Sequence, residues 1–483
     1  MTTHPLTTIP TCDLAGRRRF TDPESQRALG AAIGAAVADA LGAPFEFGAP
    51  GRYSARFPEP LHGTQTEMIG GGGFGWAPGE FTDDTQMAIL LGESLATCGG
   101  YDPDHLWASW QDWARDAADV GITTRRALGY DDWRTVVHAD PERTAANGAL
   151  MRSVLLAVAM YGQDDAVVRD VVVHQSALTH HHLDAGWGAW IAVAAVQEAI
   201  GGGDPFARID REGADLPAEA RDRFAPMLDA AWHPSLGGPS NGSVWGCLAQ
   251  AVWAARHHPS FDGAVIAAID LGGDTDTVAT VAGAIAGAMH GIQAVPARWT
   301  TVLNGRLPGG RTLDLDDVTR LVRQLMGKSW NGRSADEAAA GPMEVAPGLY
   351  AANILGAVAS PSDWAVVSMC ATEDLFDDRT SRRQVYIKDD PGDANLSLMH
   401  PVRDIVDSID AFLAEGKQVV VHCHGGHSRT GLALRAWYMR ANSCTEEEAH
   451  EWLTPRWPGY TTWQSSFTEF LRTEWITSDY GRN

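Results

Sequence analysis

Apolar residues recur at helical spacing through roughly the first two thirds of the chain and then give way to short alternating runs. Arg27 to Leu41 reads as a helix rich in Ala and Gly, small enough for neighbouring backbones to approach, and it ends near Gly42-Ala43-Pro44. Leu106, Trp107, Trp110, Trp113 and Ala114 share one side of a helix expected from Asp104 to Asp116. Val171-Val172-Val173 reads as an apolar turn. Further helices are expected over Ala149–Ala159, Asp184–Ala199, Ser243–Arg256, Phe261–Ile269, Val278–Met289 and Leu315–Leu325, with Asn147 capping the first and Trp187, Trp190, Trp245 and Trp253 mostly in the core. Arg152, one turn in, is expected to satisfy an internal carboxylate. From Asn331 to Pro347 the sequence mixes Gly, Pro, Ser, Ala and acids, as linkers do. Beyond it, Ala365–Met369 and Lys417–Val421 read as strands, Val402–Ala414 and Gly431–Arg440 as helices. The expected organisation is multidomain: an all-α domain over 20–340, then a small α/β domain over 345–483.

A chain of 483 residues exceeds one ordinary core, in keeping with that division. Its formal charge of -24 disfavours indiscriminate binding to nucleic acid, whose phosphates reward Lys and Arg. A small anionic substrate met by a local positive loop remains compatible with it. Six cysteines without close paired spacing point to neither a disulfide scaffold nor a zinc site. Met1 to Arg19 lacks the pattern of a secretory signal, and no apolar run looks long enough to span a bilayer, so a soluble cytoplasmic protein with no membrane partner is expected.

Two acidic stretches nearly 200 positions apart carry the first candidate chemistry: Thr82-Asp83-Asp84 and Asp274-Thr275-Asp276-Thr277. Each runs directly into an apolar helix, and Gly272-Gly273 allows a close backbone approach before the second. Helix capping accounts for one acid per helix and leaves the others as crowded like charges. Four carboxylates with hydroxyls beside them would instead suit one or two Mg²⁺ or Mn²⁺ ions. Glu46 falls just past a helix end, where side chains point into clefts. The run Gly70 to Gly73, with Gly75, Phe74 and Trp76, forms either a mobile flap or a shelf whose amides could meet a pyrophosphate. Three successive histidines, His180-His181-His182, cannot all face one metal from regular structure, and no thiolate lies near, so zinc is not expected there.

This arrangement resembles the ADP-ribosylglycohydrolase family over about residues 25–335. The stretches that carry the resemblance are Gly34 to Phe47, Ile69 to Trp76, Gly79 to Met87, Asp119-Val120-Gly121, Asn147 to Arg152, Thr179 to His182 and Leu271 to Thr277; Ala38 stands where the family usually has Gly. The resemblance implies an all-helical hydrolase that removes ADP-ribose from arginine or another acceptor. It further implies a binuclear Mg²⁺ or Mn²⁺ centre held by Thr82, Asp83, Asp84, Asp274, Asp276 and Thr277, with Asp84 also counted as catalytic. Glu46 would be the acid beside metals and ribose. Asp119, Gly72, Gly73 and either His180 or His182 would line the substrate.

The second candidate is Val419-Val420-Val421-His422-Cys423-His424-Gly425-Gly426-His427-Ser428-Arg429-Thr430. A strand enters a five-residue loop that leads into a helix, so loop amides and the helix N-terminus can cradle a dianion and favour the thiolate of Cys423 as nucleophile. Arg429 could clamp two oxygens bidentately. The motif resembles the Cys-x5-Arg signature of protein tyrosine and dual-specificity phosphatases, over roughly residues 345–475. That resemblance implies a phosphocysteine route, with Asp390 best matching the general acid (Asp389 and Asp393 being alternatives) and Thr430 assisting breakdown of the phosphoenzyme. His424, Gly425, Gly426, His427 and Ser428 would form the phosphate-binding loop, the two histidines tuning access or charge. Together the two sites suggest a bifunctional hydrolase whose partners are an ADP-ribosylated protein or small ADP-ribose conjugate and a phosphomonoester. The alternative is one active ADP-ribosylhydrolase with a phosphatase-like module that recruits phosphorylated ligands.

Overall fold

The structure is a computed structural model that describes residues 8–16, 18–328, 338–389 and 395–481. It falls into two compact units: one over Met1–Glu59, Met68–Val295 and Val302–Trp330, the other over Pro60–Glu67, Pro296–Thr301 and Asn331–Asn483.

In the first unit, α1 (Asp22–Gly42) begins at a capping box in which Thr21 and Glu24 satisfy each other's backbone amides. It lies against α6 (Thr275–His290), and both contacting stripes are Ala and Gly. The two backbones touch along the whole crossing, from Gly30 against Gly287 to Gly42 at the site end. A Cβ on Gly42 would come within 2.7 Å of the Asp276 Cα and the Thr275 carbonyl oxygen, so only glycine lets the end of α1 reach the start of α6. Against this pair pack α2 (Asp83–Cys98), α5 (Leu183–Ile200) and the helices Val244–His257, Phe261–Ile269 and Leu315–Leu325, while α4 (Asp165–Ala177) packs on α5 and α3 (Ile122–Leu128) on the helix Pro103–Ala114. A small antiparallel hairpin, β1 (Asn304–Leu307) with β2 (Arg311–Asp314), adds strand to this mostly helical unit. Trp107, Trp110, Trp113 and Trp190 are buried as expected, whereas Trp187, Trp245 and Trp253 are only half-buried.

Five local expectations are corrected. Val171-Val172-Val173 lies inside α4 and forms no turn. The helix expected over Ala149–Ala159 is interrupted: a 3-10 turn covers Asn147–Ala149 and the α-helix runs only from Val154 to Ala159. Asn147 is therefore no cap, and its amide is spent elsewhere. Among the described residues Arg152 finds no carboxylate; Gln175 and Thr179 take its hydrogen bonds. Finally, the helical stretch Asp22–Phe45 is long and apolar enough to cross a membrane by length and composition, and 94% of its most apolar 18 residues are buried within the protein, as in a core helix. The interspersed Asp39 and small residues concealed its length from a reading by apolar runs.

The second unit carries a five-stranded sheet in the order β3-β4-β7-β5-β6, from β3 (Met343–Ala346), β4 (Leu349–Asn353), β5 (Ala365–Ser368), β6 (Arg382–Gln384) and β7 (Val419–Cys423). β4, β7, β5 and β6 are parallel and β3 is an antiparallel edge. The central strands are continuous Val and Ala runs because both faces are covered: α7 (Met399–Ala414) and α8 (Ser428–Asn442) contribute to one apolar layer, and Ile354, Ala357 and Phe376 to the other. Cys423 sits at the C-terminal end of the central strand, where open α/β sheets place ligands.

Candidate active sites

In the first unit the two acidic stretches meet. The Thr277 hydroxyl donates to Asp84 Oδ1 at 3.3 Å across 193 residues of sequence. Both stretches open helices, so their carboxylates stand at the N-terminal ends of α2 and α6. Carboxylate oxygens of Glu46, Asp274 and Asp276 all lie within 4.8 Å of one another. Asp274 occupies the N-cap position of α6 yet makes no capping bond; its Oδ2 accepts from Asn147 Nδ2 at 2.9 Å. Thr82 does cap, accepting from the Asp84 amide at 3.4 Å, and Thr275 is committed to the Gly42 carbonyl at 2.9 Å. Capping thus absorbs the threonine and leaves the acids.

Burial and mutual repulsion show in the protonation of these groups. Asp83, Asp84 and Asp276 are held well above the usual carboxylate range, first by desolvation and then by the charges around them. Glu46 is pushed up to about 8 by burial and by Asp274, Asp119, Asp83 and Asp39, and Asp119 to about 6 by burial and Asp274. Among the described residues, Asp84 Oδ2 and Glu46 Oε2 are buried and find no hydrogen-bond partner. Clustered, desolvated carboxylates with unused oxygens are a donor set that suits a hard divalent cation, which would relieve both the repulsion and the unpaired acceptors.

The surroundings hold these ligand candidates in place. Phe47 N donates to the Gly273 carbonyl at 2.6 Å, and Gly273 N to the Gly48 carbonyl at 3.1 Å, tying the loop that carries Glu46 to the turn before Asp274. Asp119 lies in the turn whose Gly121 amide bonds Asp83. Gly72 and Gly73 lie in an exposed loop closed by two backbone bonds between Gly71 and Trp76, and Gly72 abuts the Ala43 carbonyl, three residues before Glu46. His180 is buried, and its Cε1 and Nε2 edge lies beside Gly148, next to Asn147. His182 turns elsewhere: it caps α5 through Nδ1 to the Asp184 amide, reaches Glu142 with Nε2 at 3.3 Å, and lines a separate cavity of about 890 Å³ with Trp187 and Arg223. Of the two candidates, His180 is the one beside Gly148, whose neighbour Asn147 holds the Asp274 carboxylate.

Two groups at this site escaped the sequence reading. Asp39, fully buried, accepts from the amides of Thr82 and Thr85 at 3.0 and 3.1 Å and from the Thr85 hydroxyl at 2.6 Å, fixing the first turn of α2. A lone Asp inside an Ala-rich helix was its signal. Asn241 receives the Asp274 amide at 3.2 Å and donates to the Gly272 carbonyl at 2.8 Å; nothing in its local sequence marked it.

In the second unit the loop after β7 is braced from several sides. Gly426 has φ +74°, and a Cβ there would lie 2.9 Å from the Ala352 carbonyl oxygen. Its own carbonyl accepts from Trp457 Nε1 at 2.7 Å, while His427 Nδ1 bonds the Gly459 carbonyl at 2.6 Å and the His424 carbonyl accepts from the Ile354 amide at 3.1 Å. Gly425 is half-buried within the same loop. The Thr430 hydroxyl donates to Cys423 Sγ at 3.3 Å. Arg429 is oriented by the Met369 and Ile387 carbonyls at 2.7 and 3.3 Å, with its Nε 3.3 Å from Asp389. The Ser428 hydroxyl also meets Asp389, at 2.6 to 2.7 Å. Asp390 and Asp393 lie outside the described residues.

A profile of the ADP-ribosylglycohydrolase family matches residues 21–334, and one described as "Polymorphic toxin system, DSP-PTPase phosphatase" matches residues 384–443. The chain is 31% identical over 283 residues to the ADP-ribosyl-[dinitrogen reductase] glycohydrolase of Rhodospirillum rubrum, covering 58% of this chain and 90% of that protein. It is 30% identical over 290 residues to the ADP-ribosylarginine hydrolase Tri1 of Pseudomonas putida, covering 56% and 73%. Among solved structures, an ADP-ribosylglycohydrolase-related protein complex aligns with a TM-score of 0.52 at 31% identity, covering 64% of this chain and all of that one.

Proposed function

The chain belongs to the ADP-ribosylglycohydrolase family, and on that premise we propose that it is a bifunctional hydrolase whose first site releases ADP-ribose from a modified protein or small conjugate. The observation that carries the first activity is the joining of Glu46, Asp274 and Asp276 within 4.8 Å beside Asp84, with unpaired buried oxygens on Asp84 and Glu46. Thr82, Asp83, Asp84, Asp274, Asp276 and Thr277 would hold two Mg²⁺ or Mn²⁺ ions, which supply Lewis acidity toward the ribose hydroxyls and a water. Asp39 and Asn147 keep those ligands aimed, Asn147 through the Asp274 carboxylate. Glu46, at the edge of the cluster, moves a proton at the ribose or the attacking water. Asp119, the Gly72-Gly73 loop and His180 receive the rest of the substrate. Since the relative in Pseudomonas putida is named for ADP-ribosylarginine, an arginine N-glycoside is the first acceptor to assay.

The second activity is hydrolysis of a phosphomonoester at Cys423. Arg429 binds two phosphoryl oxygens while loop amides receive the third, and Thr430, already on the sulfur, turns to the departing thiolate in the second step. Asp390 protonates the leaving group in the first. A reducing, cytoplasmic setting accords with all six cysteines being free.

The test is release of ADP-ribose from arginine-modified protein by the whole chain, with and without EDTA, alongside turnover of an aryl phosphate. Chelation is expected to abolish the first and spare the second. Undiminished ADP-ribose release in EDTA, or equal loss of both activities, would defeat this reading.

A further inference from the structure

Arg152 is fully buried and, among the described residues, pairs with no carboxylate, an expensive position for a cation. Its Nε donates to Gln175 Oε1 at 3.0 Å, its guanidinium face covers the Trp110 ring at 4.1 Å, and one terminal nitrogen donates to the Gln175 carbonyl at 3.0 Å and the Thr179 hydroxyl oxygen at 2.8 Å. The same Thr179 oxygen lies 2.8 Å from His180 Nδ1. Both Thr179 and His180 are buried, at 0% and 2% exposure, so the hydroxyl proton has no water to turn to.

Hydrogen-bond counting then sets the proton positions. A guanidinium only donates, so Thr179 must accept from Arg152. If His180 carried its proton on Nδ1, the Thr179 oxygen would face two donors and its own buried proton would lack an acceptor, an arrangement that costs the full desolvation of that proton. With Nδ1 unprotonated, Thr179 donates to it and every group in the line is satisfied. Burial and the nearby Arg152 charge hold His180 well below its ordinary range, so the ring is neutral and carries one proton. The Nε2 edge is the one against Gly148, next to Asn147, whose amide holds the Asp274 carboxylate.

We infer that Arg152 and Thr179 are positioning residues that lock His180 as the Nε2–H tautomer, so that it presents a fixed neutral donor to an oxygen of the ADP-ribosyl group. This rests on the first site being an ADP-ribose site, and it assigns the buried arginine a purpose that packing alone does not require. A neutral donor also suits a ligand whose pyrophosphate is to be released after each turnover, since it binds oxygen without forming a buried ion pair.

The experiment reads the tautomer apart from function. The whole chain, labelled with ¹⁵N-histidine, is compared with His180→Gln to assign the His180 nitrogens. An acceptor-type Nδ1 and a protonated Nε2 are expected, and a protonated Nδ1 overturns the inference. In Thr179→Val the Nδ1–H form should become populated, and the Kd for free ADP-ribose, measured by calorimetry with Mn²⁺ present, should rise about tenfold or more, as for loss of a hydrogen bond to a charged group. Thr179→Ser should restore both. Folding of each variant is checked by its circular dichroism, and Arg152→Lys, which keeps a buried donor and charge, serves as the second route if Thr179→Val does not fold. A variant with the tautomer shifted and ADP-ribose affinity unchanged also overturns the inference. Wild-type protein that fails to bind ADP-ribose refutes the reading of the site itself, whatever the tautomer.

Discussion

Replacing Asp39 with Ala probes how the first acidic stretch is held. The carboxylate satisfies three buried donors at the start of α2: the Thr82 and Thr85 amides and the Thr85 hydroxyl. Leaving each unpaired costs about 1 to 3 kcal/mol, so the gross loss is roughly 6 kcal/mol. Against this stands the removal of a buried charge close to Asp83 and Asp84. Burial holds Asp39 at about 6, above the usual 3.8, even with these bonds made, so relief of the buried charge offsets part of that loss. The net expectation is a local destabilisation of about 3 kcal/mol, and less in Asp39→Asn, which keeps one acceptor. Because the chain has two units, a global denaturation midpoint would blur this effect. Hydrogen exchange in the peptide over 82–91 reads it directly, and amide protection there should fall about a hundredfold in Asp39→Ala. Mn²⁺ affinity should fall with it, because Asp83 and Asp84 ride on that turn. Unchanged protection together with unchanged Mn²⁺ affinity would refute the claim that Asp39 organises the ligands.

Cys423→Ser should lower aryl phosphate hydrolysis by orders of magnitude while preserving oxyanion binding, since serine keeps the loop but forms no comparable nucleophile at neutral pH; wild-type turnover in steady-state assays would remove Cys423 from the mechanism. Two buried histidines contribute a loss of stability in acid, while the raised carboxylates of the first site contribute the reverse. His422 and His174 are each held down to about 4, against 6.5 when unfolded, chiefly by burial, so the unfolded chain takes up protons first and stability is lost as pH falls from about 6.5 to 4. For His422, bonded to the Ser368 hydroxyl at 2.7 Å, the loss is about 3 kcal/mol, and urea titrations of His422→Gln should show a shallower pH dependence than wild type; identical slopes would contradict it. Saturating Mn²⁺ should raise the melting temperature of the wild type by relieving the carboxylate cluster, and Asp276→Asn should erase most of that gain in thermal scans.

What could be known from sequence was whatever the chain encodes locally. Helical and alternating periodicity separated a helical portion from an α/β portion, and Thr82-Asp83-Asp84, Asp274-Thr275-Asp276-Thr277 and Cys423 to Arg429 announced their chemistry because their ligands and nucleophile lie within a few residues of one another. The tertiary structure decided what depends on partners distant along the chain. Glu46 joins Asp274 and Asp276 because the glycine at the end of α1 lets two helix backbones touch, and that contact has no local signature. Asn147 looked like a cap and became a brace for Asp274, because the 3-10 turn directs its amide across 127 residues of sequence. Three adjacent histidines were indistinguishable as letters. Only the start of α5 separates them, turning His182 outward as a cap and leaving His180 inside, where Thr179 and Arg152 set its proton.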